Sequence, residues 1–332
     1  MRNYLQLMVI ILCLLPGILC ADWRPDEMKV KVELNDPSDL DKIRSLGISP
    51  VAKALPMVYL HLIPTELKKL REAGFRPQIL IHSLDDHSSD ILNQPHMAGY
   101  SDYEATRSKL YKLQKEYSNI LRVSVIGKSV ADRDIFAVKI SDNPSLAEDE
   151  PKVAFDGGFH GDEINTTELL VMFIEDLCRS YGNDNRIRDL IHSREIYVLP
   201  LINPDGRSTL TRRNANNVDL NRDWGYFWDG SGNSDYPYSQ PESRALLKWV
   251  FQKSASIHQS LHSGAELISY PWSYHPESVP EADLFDYLSS GYATSSGYAN
   301  LMLGSGYNQL YPICGTSKDS YYGLNGSLAW TL

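Results

Sequence analysis

The order of apolar and polar residues divides the chain into two blocks of strands and helices. In the first block, Met28–Leu34 alternates apolar and polar residues in the period of a half-buried strand, and a helix then begins near Pro37. The same order recurs over residues 57–81, where two strand-like runs flank a helix that begins at Pro64. Two β-α units predict a small α/β module within residues 22–95.

The second block begins after a polar linker, Ser83–Pro95, and extends to the end of the chain. Its strand-like runs are nearly continuously apolar, which is typical of strands that are buried on both faces. Strands are predicted at 121–125, 135–140, 152–155, 195–201, 256–261 and 267–270, and helices at 103–117, 166–179 and 241–252. This alternation predicts an α/β domain over residues 96–332, with a mixed, mostly parallel sheet flanked by helices.

Residues 1–21 have the pattern of a cleaved signal peptide. Arg2 precedes an apolar run, Leu5–Leu19, that is too short for a comfortable membrane span, and cleavage is predicted near Ala21. A lipid anchor on Cys20 is the less favoured alternative, because Leu19 is bulkier than the residue that such sites usually accept. We therefore expect an exported protein, secreted or periplasmic, with no stable membrane span.

Net charge limits the possible binding partners, and the cysteine content limits the possible disulfide bonds. The net charge of −10 argues against nucleic acid or an anionic membrane surface as the main partner. Removal of the signal peptide would leave Cys178 and Cys314. Export permits a disulfide between them, but no spacing pattern requires it. Cys178 lies on the apolar face of a predicted helix, which favours a buried thiol.

Candidate chemistry begins after the strand at 152–155, where two glycines are followed by the sequence HGDE. His160 and Glu163 are suited to one half of a hydrolytic zinc site, in which three protein ligands leave a position for water. The same two residues would equally suit the cap of the helix that follows. Asn203 and His262 also follow the ends of predicted strands. Because ligand sites in such sheets lie beyond the carboxyl ends of strands, this agreement favours a site.

A second polar segment, residues 211–224, reads TRRNANNVDLNRDW. Its Arg212, Asn221 and Arg222 are suited to binding an anion, since a guanidinium group pairs with a carboxylate through two hydrogen bonds. A solvated loop is the alternative interpretation. Residues 310–332 are interpreted as a Gly-rich loop that leads into a strand.

Taken together, five segments resemble the zinc carboxypeptidases, the funnelin family of metallocarboxypeptidases. These segments are HGDE, NPDG, an arginine followed by VDLNRDW, SLHSG followed by YPW, and YPICGTSKD, and they occur in the family's order from about Tyr100 to the last residue. The resemblance implies one zinc ion (Zn²⁺) per chain, bound by His160, Glu163 and His262. It also implies that the substrates are peptide or protein C-termini.

The resemblance assigns further roles residue by residue. Arg212 is expected to polarise the scissile carbonyl and stabilise its oxyanion, and Tyr311 to close over the bound residue. Asn221 and Arg222 are expected to hold the terminal carboxylate of the substrate. Lys318 lies at the specificity position, where a cation would favour an acidic C-terminal side chain; the alternative is that it points to solvent on a mobile loop.

Two positions depart from the family pattern. The glutamate that acts as general base would follow Leu332 directly, and the chain stops there. We therefore expect a fragment with low activity, and an inactive relative is the alternative. The second departure is Asp162, which replaces an arginine of the digestive members and leaves a subsite contact in doubt.

The leading hypothesis is an exported, monomeric zinc metallocarboxypeptidase. A cell-wall peptidase that cuts γ-glutamyl–diamino acid bonds is a second possibility, and an inactive module that binds peptide C-termini is a third. Residues 22–95 precede the catalytic domain as a propeptide does, although a permanent accessory domain is an equally simple interpretation.

Overall fold

A computed structural model describes residues 26–48, 50–54, 56–83, 99–297 and 302–332. The predicted signal peptide, Cys20 and all of the predicted linker except Ser83 lie outside the described residues. Among the described residues, no helix has both the length and the apolar character that crossing a membrane requires.

The N-terminal module is a four-stranded antiparallel sheet in the order β2-β3-β1-β4. Its elements are β1 (Met28–Glu33), α1 (Ser38–Ser45), β2 (Pro50–Ala54), β3 (Met57–Leu62), α2 (Pro64–Glu72) and β4 (Gln78–Ile81). Alternation along β1 buries Val30 and Val32 completely, in one cluster with Ile43 and Leu70 of the two helices. The sequence pattern predicts every element of this module except β2, whose sequence PVAKA begins with proline and does not alternate apolar and polar residues.

The larger domain is built on one eight-stranded sheet in the order β11-β10-β12-β9-β7-β8-β6-β5. Its strands are β5 (Leu121–Lys128), β6 (Asp134–Ile140), β7 (Lys152–Gly157), β8 (Glu195–Leu199), β9 (Ile257–Leu261), β10 (Leu267–Tyr270), β11 (Met302–Ser305) and β12 (Leu328–Thr331). The four central strands β12, β9, β7 and β8 run parallel, whereas β5/β6, β6/β8 and β10/β12 are antiparallel pairs. The predicted mixed, mostly parallel sheet is confirmed.

Helices cover both faces of this sheet. They are α3 (Tyr103–Glu116), α4 (Ile164–Ser180), α5 (Asn185–Ile191), α6 (Pro204–Thr209), α7 (Pro241–Lys253), α8 (Ala282–Ser296), α9 (Gly306–Gln309) and α10 (Ser317–Asn325). Leu110 and Ile174 of α3 and α4 are fully buried in one core cluster, and Leu246 of α7 is fully buried in another. Each such side chain stabilises the fold by about 1.5–3 kcal/mol through burial.

The interpretation of residues 310–332 as a Gly-rich loop is partly wrong, because helix α10 precedes β12. The side chain of Thr316 caps this helix by accepting a hydrogen bond from the Asp319 amide, and Gly326 ends it at a φ of +70°. Both signals are visible in the sequence, but the short segment between them is rich in Tyr and Gly and has no helical period.

Cys178 is a free, buried thiol whose pKa is raised to about 12 by burial. The predicted buried thiol is therefore confirmed, and the pairing of Cys178 with Cys314 is not formed.

Candidate metal centre and substrate pocket

The loop after β7 is shaped by glycine and held by a threonine. Gly158 has a φ of +65°, a conformation that side chains with a Cβ rarely adopt. Its N–H donates to the hydroxyl of Thr166, which in turn donates to the carbonyl oxygen of Glu163 over 2.8 Å. The first turn of α4 thus fixes both ends of the segment that carries His160.

Asn203, of the NPDG sequence, connects this loop to the polar segment of residues 211–224, which carries Arg212. Its amide nitrogen donates to the carbonyl oxygens of Phe159 (3.1 Å) and Arg212 (3.3 Å), and its oxygen accepts from the Gly206 amide. Gly161 packs so closely on this turn that a Cβ there would lie 1.9 Å from the carbonyl carbon of Gly206. Sequence reasoning noticed Asn203 at a strand end but assigned it no such scaffold role.

The three predicted metal ligands converge on one point. Nδ1 of His160 lies 2.8 Å from Oε1 of Glu163, Nδ1 of His262 lies 3.0 Å from Oε2 of Glu163, and the two Nδ1 atoms are 3.2 Å apart. Ligand atoms bound to zinc in tetrahedral geometry over about 2.0–2.2 Å lie about 3.4 Å from one another. Two imidazole nitrogens and a carboxylate at these distances therefore fit a zinc ion, with a further position open to solvent or substrate.

The convergence follows from the sheet. β7 and β9 are adjacent parallel strands, with Asp156 in register with Ser260, so their carboxyl ends lie side by side. His160 follows the first strand and His262 follows the second. Residues that are about a hundred positions apart in sequence thus meet for a reason that the strand prediction already contains.

Asp219 contacts the His160 ring at the nitrogen that faces away from Glu163. Its Oδ1 lies 3.1 Å from Nε2 of His160, and both side chains are buried. Burial alone would raise the pKa of Asp219, but the charges of Arg212 and His160 hold it well below its ordinary value. A carboxylate on the far nitrogen would fix the ring and leave Nδ1 to face a bound metal ion. Sequence reasoning missed this role, although Asp219 lies within the VDLNRDW segment.

Charges around His160 and Glu163 balance one another. Burial would raise the pKa of Glu163, but the two histidine rings lower it well below the ordinary range. Burial and Arg212 would lower the pKa of His160, whereas Glu163 and Asp219 raise it to a net value above normal. The carboxylate of Glu163 therefore stays ionised, and the negative charge around the two histidine rings favours a bound cation.

Arg212 lies directly beside the ligands. Its Nε and Nη2 bind Oδ2 of Asp219 over 3.0 and 2.9 Å, and its Nη1 lies 3.1 Å from Nδ1 of His160. Burial would lower the pKa of Arg212, but the carboxylates of Asp219 and Glu163 raise it, so the guanidinium stays charged. The fork is held in place and presents positive charge at the metal centre.

Asn221 and Arg222 are buried beside the same centre. The amide nitrogen of Asn221 lies 3.1 Å from Nε2 of His262, and its oxygen accepts from the Ser317 amide over 2.9 Å. Arg222 donates through Nη1 to the carbonyl oxygen of Asn221 over 2.8 Å. The solvated-loop alternative is wrong for these two residues, because each is only 8% exposed.

Lys318 lies in the first turn of α10 and is 3% exposed, so it does not point to solvent on a mobile loop. Its Nζ donates to the hydroxyl of Ser269 over 2.8 Å. Gly306 makes room for it, since a Cβ at that position would lie 2.7 Å from the ammonium nitrogen. Burial lowers the pKa of Lys318 to about 8.

One cavity of about 190 Å³ joins all of these groups. Every predicted site residue lines it: His160, Glu163, Arg212, Asn221, Arg222, His262, Tyr311 and Lys318. Asp162 does not line it, and one of its carboxylate oxygens is buried without a hydrogen-bond partner among the described residues. The cavity is smaller than the roughly 300–1,000 Å³ of sites for drug-sized ligands, so it suits a group of about one residue.

A model of the zinc carboxypeptidase family matches residues 106–332, which is more than half of the chain. The chain belongs to the zinc carboxypeptidase family. Members of this family are peptidase hydrolases, and the match covers every site residue that the sequence predicted.

Curated relatives agree with this membership. Mouse carboxypeptidase D is 32% identical over 238 residues, which are 66% of this chain but 17% of that protein. The catalytic chain of human carboxypeptidase N is 30% identical over 264 residues, covering 67% of this chain and 57% of the relative. The zinc carboxypeptidase of Saccharothrix mutabilis subsp. capreolus is 25% identical over 355 residues, covering 92% of this chain and 81% of the relative. The chain thus spans only part of the mammalian relatives.

Solved structures show the same fold. Carboxypeptidase A from Helicoverpa armigera superposes with a TM-score of 0.72 at 19% identity, over 94% of this chain and 89% of that one. Thrombin-activatable fibrinolysis inhibitor superposes with a TM-score of 0.68 at 17% identity, over 92% of this chain and 90% of that one. Coverage above 90% reaches well beyond residues 106–332, so the similarity of fold includes the N-terminal module.

Proposed function

We propose that this chain is an exported, monomeric zinc metallocarboxypeptidase that hydrolyses the C-terminal peptide bond of peptides or proteins. The observation that carries the proposal is the convergence of His160, Glu163 and His262, whose ligand atoms lie within 3.2 Å of one another. The buried side chains of Asn221, Arg222 and Lys318 line the same pocket. A metal centre next to cationic groups suits a substrate whose reacting bond lies beside a free carboxylate.

The residues of the chain would divide the work as follows. A bound zinc ion supplies Lewis acidity and a water that is nucleophilic near neutral pH. His160, Glu163 and His262 would hold it, and Asp219 would keep the His160 ring oriented. Arg212, fixed by Asp219, would stabilise the negative charge that develops on the carbonyl oxygen.

The substrate carboxylate would be bound by Arg222 and Asn221. Arginine pairs with a carboxylate through two parallel hydrogen bonds, and a buried site strengthens this pairing because water does not compete. Tyr311 lines the same pocket and would close over the bound residue. Leu332 also lines the pocket, and its carbonyl oxygen accepts from the His262 amide over 2.8 Å.

The buried lysine supports a preference for acidic C-terminal residues. The carboxylate of Asp319 is near enough to raise the pKa of Lys318, but it accepts hydrogen bonds from Ser273, and among the described residues Lys318 makes no salt bridge with a carboxylate. Lysine is rarely buried without an ionic partner, because removing its charge from water is costly. The side-chain carboxylate of a C-terminal Glu or Asp would supply the missing partner.

Peptides that end in Glu, Phe or Lys test both the function and the preference. The chain should release Glu fastest and should not cleave the matched C-terminal amides. In Lys318→Met, the ratio of kcat/KM for Glu over Phe should fall by at least about tenfold, because truncating one partner of a buried charge pair costs about 2–5 kcal/mol. The ratio is measured by quantifying the released amino acid.

The same ratio should depend on pH. Lys318 is charged below its pKa of about 8 and neutral above it, so the preference for Glu should decline as the pH rises through about 8. Lys318→Arg, which stays charged, is the matched control and should keep the preference above pH 8. A preference for Phe in the unmodified chain would contradict the acidic specificity. Release from γ-glutamyl–diamino acid peptides alone, or binding without hydrolysis, would contradict the proposed function.

We also propose that the N-terminal module covers the active site as a propeptide does. Glu27, Ile48, His61 and Glu66 of the module line the same cavity as the metal ligands. The ring of His61 lies 3.9 Å from where a Cβ on Gly264 would stand, two residues after His262. A substrate chain would need the space that the module fills.

Cutting the chain between the two units tests this covering role. A site for a specific protease is inserted within residues 84–95, and peptide hydrolysis is measured before and after cleavage and removal of the module. Activity should rise by at least about tenfold, because a tethered module competes at a high effective concentration that is lost on release. Treatment of the chain without the inserted site is the control. Unchanged activity after removal would show a permanent accessory domain instead.

A further inference from the structure

A buried carboxylate lies beneath the metal centre and is not used by the mechanism above. Asp156 is fully buried in β7, and its Oδ2 is 2.7 Å from Nε2 of His258 and accepts from the hydroxyl of Tyr321 over 2.8 Å. Its other oxygen, Oδ1, has no partner among the described residues. The hydrogen bonding of this carboxylate therefore depends on two side chains that come from two other elements of the fold.

Those elements are the ones that carry the site. Asp156 lies in β7, four residues before His160, and His258 lies in β9, four residues before His262; each histidine ligand follows the end of its strand. Tyr321 follows Lys318 by three residues in α10. One carboxylate oxygen thus connects the strand before the first histidine ligand, the strand before the second, and the helix that forms the specificity pocket.

The group is rigid as well as connected. The rings of His258 and Tyr321 stack with centroids 3.9 Å apart and an angle of 13° between their planes. Trp249 meets the edge of His258, and Trp224 meets Tyr321 at an angle of 86° with centroids 5.0 Å apart. In a close-packed interior, these ring contacts restrict the rotamers of His258 and Tyr321. A change in any one member is therefore transmitted to the other two.

The tyrosine acts as a donor throughout the working range of pH. Burial raises the pKa of Tyr321 well above its ordinary value, and the negative charge of Asp156 raises it further. A buried carboxylate that loses one of two donors pays a large desolvation cost, so the structure around it shifts to recover a partner. That shift would occur on the two strands that lead to the histidine ligands, four residues before each of them.

We propose that Asp156, His258 and Tyr321 form a positioning unit that sets the spacing of the two histidine ligands and of α10, and thereby the affinity for zinc. This inference rests on the zinc ligand set of the proposed function. It assigns no contact with substrate to the three residues, which act through the strands and the helix that they join.

Removing a single hydroxyl tests the unit with the least disturbance of packing. In Tyr321→Phe the zinc dissociation constant, measured by competition with a chromophoric chelator, should rise on the order of tenfold, the lower end of the change seen when groups behind a metal ligand are altered. Tyr197→Phe is the matched control. Tyr197 is also buried in the sheet and donates to a buried carboxylate, Glu195, over 2.8 Å, but it lies on β8 and precedes no metal ligand.

A conservative variant separates geometry from charge. Because His258 and Tyr321 share one oxygen of Asp156, Asp156→Asn keeps an acceptor for both and should bind zinc within about threefold of the unmodified chain. The unfolding temperature of the metal-free protein is recorded for each variant. A purely structural role would lower that temperature equally in Tyr321→Phe and Tyr197→Phe and leave both zinc constants alike, which would overturn the proposal.

The outcome also distinguishes this inference from the proposed function. If the unmodified chain binds zinc but hydrolyses no peptide, the proposed function fails while the positioning unit can still be confirmed from the zinc constants. If peptides are hydrolysed and the zinc constant of Tyr321→Phe is unchanged, only the positioning unit fails. A chain that binds no zinc would overturn both.

Discussion

Replacing both His160 and His262 by alanine should leave a chain that retains no zinc after dialysis and hydrolyses peptides no faster than background. Two of the three converging donors are lost, and Glu163 alone offers a single carboxylate. Changes to groups behind metal ligands already weaken binding by about 10–100-fold, so the loss of two ligands should exceed about 100-fold. Zinc content is measured by metal analysis on the folded protein, and hydrolysis with a peptide that ends in Glu.

An exposed histidine provides the control for this double variant. His192 accepts or donates a hydrogen bond with the hydroxyl of Tyr181 over 2.8 Å, away from the metal centre. His192→Ala should keep its full zinc content and activity. Zinc retained by the double variant at one ion per chain would show that the metal binds elsewhere and would remove the basis of the proposed function.

Replacing Arg212 by methionine should lower kcat by about 10²–10³-fold with a much smaller change in KM. This is the range observed when one group that stabilises a developing oxyanion is removed. The guanidinium is charged at every working pH, because Asp219 and Glu163 raise its pKa, and it is held in place by two hydrogen bonds to Asp219. The loss should therefore fall on the chemical step and should not depend on pH.

Zinc content must be determined in the same samples, since Arg212 also shares Asp219 with the metal ligand His160. Arg212→Lys keeps a charge but loses the fork, and it should recover only part of kcat. Arg244→Met, an exposed arginine on α7 that donates to backbone carbonyls, is the control and should behave as the unmodified chain. A large rise in KM at constant kcat would instead place Arg212 in ground-state binding.

Local sequence signals predicted the parts of the site better than their arrangement. The apolar runs before His160 and His262 predict strands, and both histidines follow the ends of these strands as expected. Helix α10 was hidden by its Tyr and Gly content, even though Thr316 and Gly326 mark its ends. Short elements such as β2 and α10 are stabilised by the packing of neighbours and show little period of their own.

Burial was the property that the sequence could not supply. The residues next to Lys318 in the sequence do not show whether its side chain points to solvent or into a pocket. Its 3% exposure results from α10 packing against the sheet beside Ser269 and Gly306. Asp219 likewise reads as one polar residue among many, and its contact with the far side of His160 arises only when the segment 211–224 folds over the ends of the strands.

The sequence by itself therefore predicted the family, most of the strands, and the three side chains that we propose as metal ligands, because these depend on local patterns and on motifs of a few residues. The tertiary structure alone decided which groups support them. Asp156, His258 and Tyr321 are separated by as many as 165 positions, and no local pattern distinguishes them from ordinary core residues. They meet because β7 and β9 pair in parallel and α10 packs over them, and interactions between distant segments of this kind are set by the packing of the whole domain.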